Sequence, residues 1–186
     1  MTALGFTIRF HGPFRVGASY GRDGIGAAID HDEPLPADHL KGVMRDAAVT
    51  LLGSTSPLLA EVFGSRYAPS PWAWSAATLP AGTSWNFGRN YRVKIDPQTH
   101  SAAKDQLVLG EQAWPQAAAF TVTRAGRPPE GHHDDHVLVL RCAAAAVHGL
   151  GAWRRRGLGW VGITPGDAPV SEADVARLVT LKEVAR

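Results

Sequence analysis

The segment Ala37–Leu52 constrains this chain most. Leu40, Val43, Met44, Ala47, Ala48 and Leu51 recur at the spacing of one helical face. Pro36 stands just before the run, where its missing N–H costs nothing, and Asp38 serves the first turn. Gly53 stops it. A helix with a single apolar stripe must lay that stripe on another layer. The strand signals supply one. Phe6, Ile8 and Phe10 alternate with Thr7 and Arg9, and residues 120–124 alternate again. Both patterns describe strands buried on one face only. The expectation is an α+β domain with helices on one side of a sheet.

The remaining elements fit that plan. A second short helix is expected over Pro57–Phe63, stopped by Gly64, and strands over residues 72–79 and 160–163. Residues 14–17 would continue the first strand, and residues 17–28 form a glycine-rich loop with Arg22 and Asp23. Residues 92–95 and 107–109 read as two strands joined by a turn over 96–104. Residues 134–150 and 171–183 read as helices, with Ser171 and Asp174 as a near capping box. The order is strand, helix, several strands, helix, basic glycine loop, strand. It predicts a ferredoxin-like (RRM-like) domain with an antiparallel sheet, an inserted β-hairpin and a C-terminal helix. We expect one domain over 1–186 with the insertion over 81–118, since 186 residues suit a single domain.

Charge is informative only in its distribution. The net charge is +2, but residues 65–160 hold eleven Lys/Arg against six Asp/Glu. A polyanion is expected to lie against that stretch. Cys142 stands alone and fits a reducing compartment. The longest apolar run, 137–147, is broken by Arg141 and too short to span a bilayer. These features predict a cytoplasmic protein without membrane contact.

Several residues invite a chemical reading. Lys41 and Arg45 share one helix face near a helix N-terminus, a setting that favours phosphate; the alternative is a solvated face. Arg154, Arg155 and Arg156 precede Gly157 and Gly159, so several phosphates can be reached and a backbone can come close. Trp153 or Trp160 can stack on a base, although Trp160 also suits a core position. Trp85, beside Asn86, Arg89, Asn90 and Arg92, is a candidate for RNA stacking or a subunit contact, whereas Trp72 and Trp74 read as core. His132, His133, Asp134, Asp135 and His136 suggest a metal only weakly. Helix-capping carboxylates flanked by exposed histidines explain them better.

Four motifs occur in order. Leu40-Lys41-Gly42 with Arg45 follows a proline turn, with His39 where a serine is usual. Val62-Phe63-Gly64-Ser65 leads into a strand. Arg92-Val93-Lys94-Ile95-Asp96 runs on through Glu111 to Phe120. Arg156-Gly157-Leu158-Gly159-Trp160-Val161 closes the set. Together they resemble the RAMP superfamily, and within it the backbone-type subunits of type III CRISPR effector complexes. The resemblance implies that guide RNA and target RNA are partners, along with other effector subunits and copies of the chain itself. It adds Lys94 to the RNA-binding set and makes the insertion a thumb that interrupts the guide–target duplex.

It also implies a role for the loop after the first strand. In target-cleaving backbone subunits that loop carries an aspartate needed for metal-assisted RNA cleavage. By position this is Asp30, which would hold Mg²⁺ or another divalent cation, with Asp32 assisting and His31 transferring protons. Two alternatives stand beside it. One is a non-catalytic structural or capping subunit. The other is an endoribonuclease that processes the guide-RNA precursor, for which His31 with Tyr20 is the nearest pair.

Overall fold

The computed structural model describes residues 2–18, 21, 24–166 and 168–184. Tyr20, Arg22 and Asp23 lie outside the described residues. Six strands and four α-helices run in the order β1 (Ala3–Phe10), α1 (Ala37–Leu52), α2 (Pro57–Phe63), β2 (Trp72–Trp74), β3 (Phe87–Ile95), β4 (Ala102–Ala113), β5 (Ala117–Arg124), α3 (His133–Ala145), β6 (Val161–Pro165) and α4 (Glu172–Val184). The main sheet has the order β2-β5-β1-β6, every pair antiparallel. Helices α1 and α3 are the crossovers between β1 and β2 and between β5 and β6. This is the ferredoxin-like α+β arrangement, and the β3–β4 hairpin forms a separate two-stranded sheet between β2 and β5.

Alternation decides which face is covered. Phe6, Ile8 and Phe10 of β1, Phe120 and Val122 of β5, and Val161 and Ile163 of β6 all point into the core. They meet Leu40, Met44 and Ala48 of α1 and Val139, Leu140 and Ala143 of α3. Phe6 and Phe120 face each other across the β1–β5 ladder, rings 5.0 Å apart. Truncating a side chain as buried as Ile8 to Ala would cost about 2–5 kcal/mol. Both short loops after the first helices use glycine. Gly53 (φ 91°) and Gly64 (φ 79°) turn the chain out of α1 and α2, each N–H returning to a carbonyl four residues back.

Four expectations need correction. The strand expected over 72–79 stops at Trp74, because Ala77 donates its N–H to Leu35 instead of continuing the ladder; a single bridge pairs Thr78 with Ala119. The helix expected to reach 150 ends at Ala145, because residues 148–150 turn back to bond residues 159–161. Only Phe14 of residues 14–17 pairs as a strand, in one bridge to Ala113. The hairpin strands are much longer than expected. Tyr91, Val93, Ile95 and Leu107 stay exposed, so no buried face marks their ends in the pattern.

Candidate nucleic-acid interface

Three distant segments meet beside the base of the hairpin. The first is the loop after β1. Arg15 donates its Nε to the Ala27 carbonyl (3.1 Å). Ala27 pairs with Gly110 of β4, and the Glu111 N–H donates to the Ala27 carbonyl (3.0 Å). Two residues on, the Ile29 N–H donates to Glu111 Oε2 (2.9 Å). His31 then stacks on Phe87 of β3, centroids 3.8 Å apart and planes 9° from parallel. Its Nε2 lies 3.4 Å from Glu111 Oε1.

The second segment is the glycine loop. Gly151 has φ 77°, and its Cα lies so close to the Arg15 backbone that any side chain would collide. The next N–H, of Ala152, donates to the Arg15 carbonyl (2.7 Å). Trp153 follows with φ 62°, left-handed and uncommon for a side chain of this size. Residues Arg154–Arg156 form one 3₁₀ turn, all three exposed, closed by Gly157 at φ 84°.

The third segment is the hairpin itself. Arg92 of β3 places its guanidinium 4.1 Å from the Trp153 ring, and Arg15 places its own 4.7 Å away. Both contacts are cation–π stacks. Gly110 leaves room for the ring: a Cβ there would stand 2.8 Å from Trp153 Cζ3. Burial, with the like charges of Arg156 and Arg15 nearby, lowers the Arg92 pKa from its ordinary value. Burial also lowers Arg15, opposed by the Glu111 carboxylate. The cluster is therefore a concentration of positive charge with few acids to neutralise it, and an anion relieves that repulsion.

The expected site residues are divided by the structure. Arg92 and Arg156 come together, Arg154 and Arg155 share the exposed turn of Arg156, and the loop of Asp30, His31 and Asp32 is joined to the same hairpin base through Glu111. Lys41 and Arg45 do not join them. Lys41 Nζ sits over the Trp74 ring (5.5 Å) and, with Arg45 and Arg66, lines a cleft of about 330 Å³ beside α2. Arg154 lines a different cleft with Val43, Asp46 and Ala47, on the opposite flank of α1. Lys41 and Arg154 therefore border separate clefts. Arg89 alternates away from Arg92 onto the face of Tyr91 and Val93, and exposed Lys94 lies where the β3–β4 register shifts. Trp85 lies in the loop before β3, half-buried and edge-on to Phe14 (5.9 Å). Trp160 is 64% exposed, against the core position also considered for it. Gly159 turns at φ 81° against the Leu150 backbone, so its smallness serves the fold.

Two contacts were not foreseen. His39, in the place of a usual serine, accepts the Gly151 N–H through Nε2 (2.9 Å), tying α1 to the glycine loop. Burial, and then the charge of Arg154, lowers its pKa and keeps the ring neutral as an acceptor must be. Glu111 is 7% exposed, a buried carboxylate at the base of a hairpin whose outer part is exposed. An isolated Glu in a strand pattern gives no sequence signal of either property.

Two places are candidates for metal. Asp30 Oδ1 accepts the N–H groups of Asp32 (3.0 Å) and Glu33 (3.4 Å), which rigidifies the turn. Its other oxygen takes no hydrogen bond from the described residues. Among the described residues no group of three ligand side chains gathers around Asp30, so any ion there would need most of its ligands from outside the chain. Glu61, His132 and His136 offer ligand atoms within 4.8 Å of one another. His136 is fully buried, not exposed as expected, and its Nδ1 accepts the Trp72 indole N–H (3.2 Å). Its proton is therefore on Nε2 and donates to Glu61 (3.3 Å). A metal on Nε2 would move that proton to Nδ1, against the indole N–H. Burial would raise the Glu61 pKa, but hydrogen bonds and charge from His132 and His136 prevail and lower it. The triad is a hydrogen-bonded tie between α2, α3 and β2 rather than a metal site.

No family model matches the chain, and no curated protein matches it in sequence. Solved structures do match. A chain from the cryo-EM structure of the type III-B Cmr-beta bound to cognate target RNA aligns with a TM-score of 0.59 at 16% identity. The alignment covers 87% of this chain and 58% of that one, so this chain spans little more than half its length. A chain from the apo state of Cmr-beta aligns with a TM-score of 0.65 at 12% identity, covering 88% and 97%. The fold is that of type III-B Cmr-beta chains. It agrees with the architecture that the RAMP resemblance implies. No helix among the described residues is long and apolar enough to cross a membrane.

Proposed function

We propose that this chain is a backbone-type RAMP subunit of a type III CRISPR effector that holds guide RNA and cuts target RNA. The observation that carries the reading is the stacking of Arg15 and Arg92 on Trp153, with Arg156 of the exposed arginine turn close to Arg92, beside the Asp30 loop. Arginines present planar donor forks that match phosphate oxygens, and a rigid Trp ring holds two of them before RNA arrives. Exposed Trp160, just past the arginine turn, offers a stacking surface for an unpaired base. The hairpin would act as the thumb, with neighbouring copies and other effector subunits stacked along the guide. Lys41 and Arg45 would serve a second phosphate contact on the far flank of α1.

Cleavage would use the neighbouring loop. A Mg²⁺ ion held by Asp30, with Asp32 assisting, would supply charge stabilisation at the scissile phosphate. His31 Nε2 is buried against Glu111, so Nδ1 is the nitrogen placed to take the 2′-hydroxyl proton. The Phe87 stack fixes the plane of that ring.

The test is RNA affinity of the purified complex. Replacing Arg92, Arg155 and Arg156 with Ala should weaken RNA binding at least tenfold and flatten its salt dependence. A triple variant that folds and binds RNA as the native protein does would overturn the reading. A folded, RNA-bound complex that cuts no target, with or without Mg²⁺, would leave the non-catalytic structural subunit in its place.

A further inference from the structure

We infer that Glu111 is a positioning residue for the cleavage loop, locking it to the base of the hairpin. The inference rests on reading the Asp30 loop as the cleavage loop.

Glu111 lies two residues before the end of β4, at the base of the hairpin, paired with Arg89 of β3. The rest of that face outward is exposed: Leu109 is half-buried, and Leu107 is 62% exposed. Glu111 is 7% exposed, and Ala113, two residues on along the same face, is fully buried. Burying a carboxylate is costly unless it is paired and hydrogen-bonded. Here each oxygen has its own task. Oε2 receives the Ile29 N–H at 2.9 Å, and Oε1 stands 3.4 Å from His31 Nε2. The Arg15 charge lies close enough to couple to the carboxylate.

The contact spans 82 residues of sequence and brackets Asp30 on both sides. The Glu111 N–H adds a third link, to the Ala27 carbonyl (3.0 Å). Residues 27, 29 and 31 are thereby registered to one residue of the hairpin. Asp30, held between them, cannot shift without breaking a buried charge-assisted hydrogen bond. Glu111 is buried, with its carboxylate turned to Ile29 and His31. It acts through Ile29 and His31, setting where Asp30 and the His31 ring stand relative to the thumb. A neutral side chain would satisfy the Ile29 N–H at lower desolvation cost; the charge faces the Arg15 guanidinium and His31 Nε2 instead.

The experiment uses the assembled effector with Glu111→Ala and Glu111→Gln. Single-turnover cleavage of target RNA, equilibrium RNA affinity and amide exchange of residues 28–32 are read on each. Glu111→Ala should slow cleavage at least tenfold, change RNA affinity less than twofold and speed Ile29 amide exchange at least tenfold. Glu111→Gln keeps an acceptor for Ile29 and should restore its protection, while cleavage recovers only in part. A carboxylate that merely stabilises the fold would lower affinity and cleavage together, and that result overturns the inference. So does unchanged exchange and cleavage in both variants. If Glu111→Ala does not fold, the split between exchange and cleavage in Glu111→Gln decides. If the native complex cuts no RNA, the cleavage reading falls by itself, and exchange alone reports whether the clamp exists.

Discussion

Replacing Trp153 with Ala should weaken RNA binding without changing how many phosphates are held. The ring carries two guanidinium groups, at 4.1 and 4.7 Å. Each such contact is worth about 0.5–1 kcal/mol at a partly exposed position, so the pair supplies about 1–2 kcal/mol. That energy is spent holding Arg15 and Arg92 ready. Without it, each long side chain must be ordered on binding, at about 0.5–1.5 kcal/mol apiece. The two estimates agree, and about 1–2 kcal/mol corresponds to roughly 5–30-fold in the dissociation constant. The arginines themselves remain, so the slope of affinity against salt should stay as in the native protein. Arg92→Ala should behave differently, flattening the slope by about 0.7 for one lost single-strand phosphate. The assay is an RNA titration at several salt concentrations, with a thermal melt to show that each variant is folded. Two results would refute the reasoning. One is a folded Trp153→Ala protein that binds as tightly as native at every salt concentration. The other is a Trp153→Ala slope reduced as much as that of Arg92→Ala.

Four further outcomes follow from the geometry. Asp30→Ala should abolish metal-dependent target cleavage and leave RNA affinity within about twofold, and EDTA should reproduce the effect on native protein; unaltered cleavage assigns the chain a structural role. Lys41→Ala and Arg154→Ala should weaken RNA binding additively within about 0.5 kcal/mol, since they line clefts on opposite flanks of α1; a strong coupling in the double variant would contradict that separation. His39 has a depressed pKa, so its contribution to stability is full above the ordinary histidine value of about 6.5 and is lost as pH falls toward the folded value. Melting temperature should therefore drop on acidification through that window, and less so in His39→Gln. Gly159→Ala should cost about 1–2 kcal/mol for the left-handed backbone alone, with the collision against Leu150 adding to it, read as a lower urea midpoint.

Much of this molecule follows from its sequence. The bounds of α1 and α2 coincide with the expectation because Pro36, Gly53, Pro57 and Gly64 act locally, through a fixed φ and a permitted positive φ. The buried faces of β1 and β5 follow from alternation, which needs no knowledge of what covers them. The ferredoxin-like order was legible from those elements alone. What tertiary structure decided is of another kind. The lengths of β3 and β4 come from backbone pairing across a hairpin that buries few side chains, so composition carries no trace of them. The end of α3 is set by residues 159–161, which compete for the backbone groups that the helix would have used. The cationic residues divided as they did because helix periodicity gives a side chain's direction but not which segment arrives to meet it. Trp153 gathering Arg15 and Arg92, and Glu111 fastening Ile29 and His31, join residues dozens of positions apart. Only the folded chain brings such residues together, because nothing in their local sequence encodes the contact.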